Sequence, residues 1–486
     1  MARLPLAEIA AAVQGDLKPG GGSGVPAGGA SAAAGGGASA APGERVVAGY
    51  SIDSRTLVAG DLFFAIVGPR VDGHDFVAAA IQKGAAAVVV ARGGVATWKE
   101  APVVIRVADT TRALQDLGGH VRRRRPLRVV GITGSAGKTT AKEMTAAVLS
   151  TRQKTHRSEG NLNNTYGLPL TLLRMDDACE AAVLEMGMSS KGEIARLAEI
   201  ADPDVGVLLN VLRVHLEHFG GLDGIAEAKG ELFAGMRRDA VAVYNGDDSR
   251  VMKIGRAFPG RSVCYGLTAR AREVTAEEIA PLGLGGTRFV LRRGTERTPL
   301  QIALAGRHHV YNALAAAAAG YACGLDGASI AEGLEAVRPA PMRGVVHRRA
   351  DGVEILDESY NSNPAAMERS IELLKEARPA GRRILASGDM LELGPYASRA
   401  HARLGVLAAR AGIDLLVAVG PLSRKAADAA RAGQGEVVHF ESSEAAAAWI
   451  VSAVRPGDLV LVKGSRGMKM ERVVQALLGT PGGGAH

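Results

Sequence analysis

The sequence predicts an α/β protein of three domains, each a mostly parallel sheet wrapped by helices. Short apolar runs alternate with helical stretches along nearly the whole chain, as where 129–132 is followed by 141–150, and that alternation is the signature of strand–helix–strand units. Polar, glycine-containing turns recur directly after the apolar runs, at the strand ends where ligands gather in such sheets. At 486 residues the chain is long enough for more than one core.

Composition narrows the function classes. The 58 basic and 50 acidic residues leave a formal charge of +8, spread along the chain. That balance suits small acidic substrates such as nucleotides and is too dilute for nucleic-acid binding. Cys179, Cys264 and Cys323 are far apart with no CxxC pair, so neither a zinc site nor a disulfide framework is expected. No stretch of about 18 uncharged apolar residues occurs, and the N-terminus lacks a signal-peptide apolar core. A cytoplasmic enzyme with no membrane span is expected.

The most informative stretch is Gly134-Ser135-Ala136-Gly137-Lys138-Thr139-Thr140, set between a buried strand and a helix. Its backbone N–H groups can converge on phosphate. The helix N-terminus adds a partial positive charge, Lys138 a full one, and the Thr139 hydroxyl a candidate Mg²⁺ ligand. The usual GxxxxGK[ST] spacing would need glycine at 132, which is Ile132. The loop is the shorter GxxGKTT form, and it marks a nucleotide site.

Taken in order, residues 1–17 read as a short amphipathic helix with Leu6, Ile9, Ala10 and Val13 on one face. From 18 to 44 the chain is almost entirely Gly, Ala, Ser and Pro and is expected to be a disordered insertion. Residues 60–66, 86–90 and 103–107 read as strands of a small α/β unit. In it Ser54, Arg55 and His74 could contact an anionic ligand or simply pin turns. Arg122-Arg-Arg-Arg125 closes the next helix and is expected to be solvated, complementing that helix's C-terminus.

After the phosphate loop, the turn 160–169 carries Asn161, Asn163, Asn164 and Thr165, side chains suited to hydrogen bonding a sugar or diphosphate. The strand 181–185 ends in Glu185, where a further Mg²⁺ ligand is wanted beside a phosphate loop. A strand over 204–211 leads to His215, which therefore falls on the phosphate side. Lys229 lies on the following helix and by itself reads as a surface lysine. Residues 262–304 are β-rich, and an Ala-rich helix follows Gly306. A third unit begins near Met342, with strands over 353–356, 383–387, 415–419 and 459–462. The expected boundaries are 1–108, 109–341 and 342–486.

Together these residues resemble the Mur ligases, the ATP-dependent amino-acid ligases that build the peptide stem of peptidoglycan. The resemblance rests on the short GxxGKTT loop, Gly160-Asn-Leu-Asn-Asn, Glu185-Met-Gly, His215-Leu-Glu-His-Phe-Gly and Ala228-Lys-Gly-Glu. To these are added Gly306-Arg-His with Asn312-Ala-Leu-Ala-Ala, Ser359-Tyr-Asn-Ser-Asn-Pro364 and Gly388-Asp-Met-Leu-Glu-Leu-Gly394. They span about residues 45–470. Two features depart from the family pattern: the Gly/Ala insertion, and His309, which stands where Asn is expected.

The resemblance implies a UDP-binding N-terminal domain, a central ATPase domain and a Rossmann-like C-terminal domain in a monomer. The implied activity adds D-alanyl-D-alanine to UDP-N-acetylmuramoyl-tripeptide through an acyl phosphate. Lys138 and the loop amides would hold the β- and γ-phosphates. Thr139 and Glu185 would ligate one Mg²⁺, and His215 a second together with a carbamylated Lys229. Asn312 would read adenine, Arg343 would reach the ATP phosphates, Asp357 would hold the ribose or orient neighbouring loops, and Asn361 would line the same cleft. Ser54, Arg55, Asn161, Asn163, Asn164 and Thr165 are candidates for the UDP-sugar. Lys463, Ser465 and Arg466 are candidates for the peptide end.

The competing readings are a sister ligase adding the third stem residue, a folylpolyglutamate-type ligase, and a nucleotide-switch ATPase. The Asp-Asn-Pro-Arg motif of diaminopimelate-selective sisters is absent. Lys229 downstream of His215, together with the short loop, speaks against the switch.

Overall fold

The computed structural model describes residues 1–19, 41–69, 71–91, 103–212, 219–268 and 272–479. Its strands form three sheets. The first comprises β1 (Asp16–Pro19), β2 (Gly49–Ser51), β3 (Asp61–Phe64), β4 (Ala87–Ala91) and β5 (Val103–Val107), in the order β1-β5-β4-β3-β2. All neighbours in it are parallel except β1 and β5.

The N-terminal helix is shorter than expected, Leu6–Ala12. Gln14 takes a left-handed φ of 53°. Its N–H bonds the Ala11 carbonyl at 3.2 Å, and Gly15 N–H bonds the Ala10 carbonyl at 2.8 Å, a closure that ends the helix. Asp16–Pro19 then pairs with β5, so Lys18 and Pro19 belong to the sheet rather than to the insertion. Residues 20–40 of that insertion lie outside the described residues. At its far end Glu44 N–H bonds Ala41 C=O at 2.9 Å, and Gly43 C=O accepts from Ala7 N–H at 2.9 Å.

The central sheet comprises β6 (Arg128–Thr133), β7 (Thr155–Arg157), β8 (Ala181–Glu185), β9 (Val205–Leu208), β10 (Val241–Asn245), β11 (Arg261–Tyr265), β12 (Val274–Pro281), β13 (Thr287–Arg293) and β14 (Glu296–Ile302). Its order is β14-β13-β12-β11-β10-β9-β6-β8-β7. Pairing is parallel from β7 to β12 and antiparallel beyond. Strand β6 is buried on both faces, Val130 and Ile132 in one core and Val129 in the other, which is why it reads as a continuous apolar run. The chain departs to opposite sides of β6, so a crevice opens at the C-terminal ends of β6, β8 and β9.

The helix Lys138–Ser150 after β6 packs beneath the helices Arg307–Ala322 and Gly327–Ala336. At Gly333 a Cβ would stand 2.5 Å from the Val148 Cα, and at Gly320 one would stand 2.8 Å from its side chain. These helices touch almost backbone to backbone.

Arg122 corrects the expectation of a solvated basic cluster. It is 5% exposed. It donates to the carbonyls of Ala201 and Asp202, each at 2.9 Å, and pairs with Asp204 at 3.2 Å. Those carbonyls end the helix Glu193–Ala201, so the guanidinium caps a neighbouring helix rather than facing water. Arg125 is likewise committed, to the Asp176 carbonyl and to Asp177.

The third sheet comprises β15 (Val345–Arg348), β16 (Glu354–Glu358), β17 (Arg383–Gly388), β18 (Leu415–Val419), β19 (Glu436–Phe440) and β20 (Leu459–Lys463), in the order β15-β16-β20-β17-β18-β19. Only β15 is antiparallel. The edge strands β15 and β19 do not emerge from the sequence pattern, because their residues are half-buried and mixed in polarity. No described helix is long and apolar enough to cross a membrane.

Candidate active site

The phosphate loop sits at the C-terminal end of β6. The following helix has no side-chain cap, which leaves its first N–H groups free for an anion. Gly137 has φ +85°, and a Cβ there would meet Asn312 Oδ1 at 2.5 Å; only glycine fits that position. The loop is braced from the end of β9. Asn210 Oδ1 accepts from Ala136 N–H at 2.9 Å, Asn210 Nδ2 donates to Ala136 C=O at 3.0 Å, and Ser135 N–H bonds Asn210 C=O at 3.0 Å. The Ser135 and Ala136 amides are thus spent on shaping the loop, which leaves the uncapped first amides of the helix Lys138–Ser150 for a ligand.

Lys138 Nζ donates to Gly134 C=O at 2.9 Å. Burial lowers its pKa, opposed by the Glu185 carboxylate and reinforced by the Arg343 guanidinium. Glu185, 3% exposed, accepts from Thr139 Oγ1 at 2.9 Å on one oxygen and from Asn163 Nδ2 at 2.8 Å on the other. A buried carboxylate abutting a hydroxyl at a phosphate loop is a donor pair suited to a hard divalent cation.

Lys229, on the helix Leu222–Ala234, is 3% exposed, so the surface reading of it is corrected. Burial, with the Lys138 ammonium as the lesser cause, pushes its pKa well below the ordinary lysine range. An ammonium there would repel a metal ion, whereas a neutral amine is open to modification. His215 lies outside the described residues.

A cleft of about 310 Å³ joins this floor to the third sheet's loops. Ala136, Gly137, Thr140 and Asn312 line one side, and Arg343, Tyr360, Asn361 and Lys463 the other. The Arg343 guanidinium stands 3.8 Å from the Tyr360 ring centroid. Lys463 Nζ pairs with Glu358 at 3.0 Å, and Ser370 Oγ donates to the same oxygen at 2.6 Å. Asp357 is turned inward, accepting from Ser359 N–H at 3.0 Å and Ser359 Oγ at 2.6 Å.

The remaining candidates lie elsewhere. Ser465 Oγ accepts from Leu391 N–H at 2.9 Å, and Arg466 pairs with Glu471 at 2.8 Å. Asn164 Oδ1 takes the Tyr166 and Gly167 N–H groups at 3.1 and 2.8 Å, starting the helix Gly167–Arg174. The backbone carbonyls of Asn161 and Thr165 accept from Asn163 N–H and Gln115 Nε2. In the first domain Ser54 is buried, and Arg55 is exposed and paired with Asp53 at 2.7 Å. His74 bridges Asp72 and Ala91 N–H, the turn-pinning role.

Several residues of the site do not stand out in the sequence. Asn210, Asp247 and Glu358 each lie at or just past a strand's C-terminal end, and applying that rule to every strand would have found them. Arg369 carries no such signal.

Comparison with known proteins agrees with this architecture. The Mur ligase middle-domain model matches residues 132–320. The model described as "Mur ligase, glutamate ligase domain" matches 342–466, and "Mur ligase family, catalytic domain" matches 46–122. The UDP-N-acetylmuramoyl-tripeptide–D-alanyl-D-alanine ligase of Bacillus subtilis is 37% identical over 440 residues, covering 90% of this chain and 94% of its own. MurF from Acinetobacter baumannii superposes with a TM-score of 0.86 at 29% identity, covering 99% of this chain and 100% of its own. MurF from Thermotoga maritima in complex with ADP gives 0.77 at 29% identity, covering 88% and 96%.

Proposed function

The chain belongs to the Mur ligase family, and from that premise we propose how its residues carry out the reaction. The protein is an ATP-dependent ligase that joins D-alanyl-D-alanine to UDP-N-acetylmuramoyl-tripeptide. A carboxylate does not condense with an amine in water, so the stem carboxylate oxygen first attacks the γ-phosphorus of ATP. That step gives an acyl phosphate and ADP. The dipeptide amine then attacks the acyl carbon, loses a proton, and expels inorganic phosphate as the amide forms. Charge migrates over the transferring phosphoryl group throughout, so the protein's work is positioning and electrostatic stabilisation.

The observation that carries this reading is the single cleft that brings the phosphate loop against Arg343 of the third domain. Lys138 and the amides from Gly137 to Thr140 hold the β- and γ-phosphates, and Arg343 meets them from the opposite wall. Thr139 and Glu185 hold one Mg²⁺, and His215 with the carbamate of Lys229 a second. Bound there, Mg²⁺ supplies Lewis-acid neutralisation of the phosphate oxygens. The carbamate forms when the neutral Lys229 amine adds to CO₂ and releases a proton.

Asn312 contacts the adenine end, while Asp357 and Asn361 shape the ribose side. Ser54, Arg55, Asn161, Asn163, Asn164 and Thr165 serve the UDP-sugar, and Lys463, Ser465 and Arg466 the peptide end. Domains 1–108, 109–341 and 342–486 close on a monomer in the cytoplasm, excluding water from the acyl phosphate.

The test is phosphate release with ATP and Mg²⁺, omitting each substrate in turn. Release that needs both UDP-N-acetylmuramoyl-tripeptide and D-alanyl-D-alanine, with a UDP-linked pentapeptide as product, is expected. Release with ATP alone sinks the reading.

A further inference from the structure

The charged residues lining the cleft can be accounted for one by one. Asp247 accepts from Leu267 N–H at 2.6 Å and from Tyr311 Oη at 2.8 Å. Asp248 caps the helix Ser249–Arg256. Glu358 and Lys463 pair with each other, and Arg343 covers Tyr360. Arg369 alone remains. It makes no hydrogen bond, ion pair or ring contact with another described residue, although Glu372, Glu358 and Glu368 influence it from farther off.

Its direction follows from its helix, Pro364–Glu376. Met367, Ile371 and Leu374 form the buried stripe, while Ala366, Arg369 and Ser370 share the face turned to the cleft. Nearby carboxylates offset its charge, but guanidinium N–H groups that meet no described acceptor are left to a ligand in the cleft.

Position along the cleft identifies what fills it. Gly137 touches Asn312, and His309 lies one turn before Asn312 on the helix Arg307–Ala322. The His308 and His309 rings stand 4.0 Å apart and line the same cleft, and both feel the positive charges of Arg369 and Lys463. Arg343, by contrast, is the arginine that acts on Lys138. The two arginines enter the cleft from different elements, Arg343 against the Tyr360 ring and Arg369 from the helix Pro364–Glu376.

We propose that Arg369 binds the nucleoside half of ATP, its planar guanidinium laid against the base beside the His308–His309 pair. A guanidinium stacks on a purine face and still donates from its edge, which an ammonium cannot do. The inference rests on ATP occupying this cleft, and the test separates the two ideas. Full-length wild-type protein and Arg369→Met are titrated with ADP and with inorganic tripolyphosphate, after matched thermal melts without ligand.

The expected result is ADP binding weakened about tenfold in the variant and tripolyphosphate binding unchanged, with Arg369→Lys recovering little. Equal losses for both ligands would place Arg369 on the phosphates and overturn the proposal, as would unchanged ADP affinity. Failure of the wild type to bind either ligand would overturn the nucleotide assignment of the cleft itself.

Discussion

Asn210 grips Ala136 by both of its backbone groups, accepting from the N–H at 2.9 Å and donating to the carbonyl at 3.0 Å. The phosphate loop is therefore shaped before any ligand arrives, by a side chain one strand away. Asn210→Leu leaves both groups unpaired, at a cost of about 2 kcal/mol. ATP KM should rise at least tenfold, with a lowered melting temperature. Unchanged ATP kinetics would show that the loop holds its form without the brace.

Glu185 is fixed by Thr139 on one oxygen and Asn163 on the other. Glu185→Gln keeps the volume and removes the charge. Turnover should fall about a hundredfold, on the scale of one lost electrostatic contact to a reacting phosphoryl group, and the Mg²⁺ needed for half-maximal rate should rise. Asn163→Ala should reproduce the second effect more weakly. A variant with the wild-type Mg²⁺ dependence would remove Glu185 from the metal site.

Burial shifts Lys229 toward its neutral form, the form that reacts with CO₂. Activity should drop severalfold in rigorously CO₂-depleted buffer and return on adding bicarbonate. Lys229→Met should be folded, inactive and indifferent to bicarbonate. Wild-type activity that ignores CO₂ would leave the lysine buried but unmodified.

His309 is held neutral by burial, its pKa lowered to about 4 from an ordinary 6.5. Between those values the unfolded chain binds a proton that the native protein refuses, so stability rises with pH across that window and is level above it. At pH 5 the deficit is about 2 kcal/mol. His309→Asn should narrow the gap in melting temperature between pH 5 and pH 8, and an unchanged gap would assign the acid sensitivity to other groups.

Arg122 predicts the opposite pattern from a ligand contact. Arg122→Gln strands the Ala201 and Asp202 carbonyls, while Asp204 keeps its pairing with Arg237 and the Val129 N–H. Urea denaturation should show a loss of about 2 kcal/mol, with the KM of every substrate unchanged. A selective rise in one KM would contradict the structural role.

What could be read in advance follows from the range of each interaction. The phosphate loop, Thr139 and Glu185 are legible because strand, turn and helix chemistry is local, and a carboxylate ending a strand has few other uses. Asn210 carries no local mark; its meaning lies in a contact 74 residues away. Arg122 misleads for the same reason, since a run of four arginines gives no hint that a neighbouring helix ends beside the first of them. The burial of Lys229 also depends on the sheet beneath it. Arg369 sits on a helix whose pattern shows which face is buried, but not that the other face looks across a cleft at two histidines.

The near backbone contact of Gly333 with Val148 bears on where this enzyme can yield. A helix clamped at such range has no room to slide, so the ledge proposed for the phosphates behaves as an anvil. Adjustment to a bound nucleotide is then expected of the opposing wall, where Arg343, Tyr360 and Arg369 line the cleft. Drift in nucleotide affinity among related chains should therefore accumulate on that wall, while the anvil tolerates almost no change.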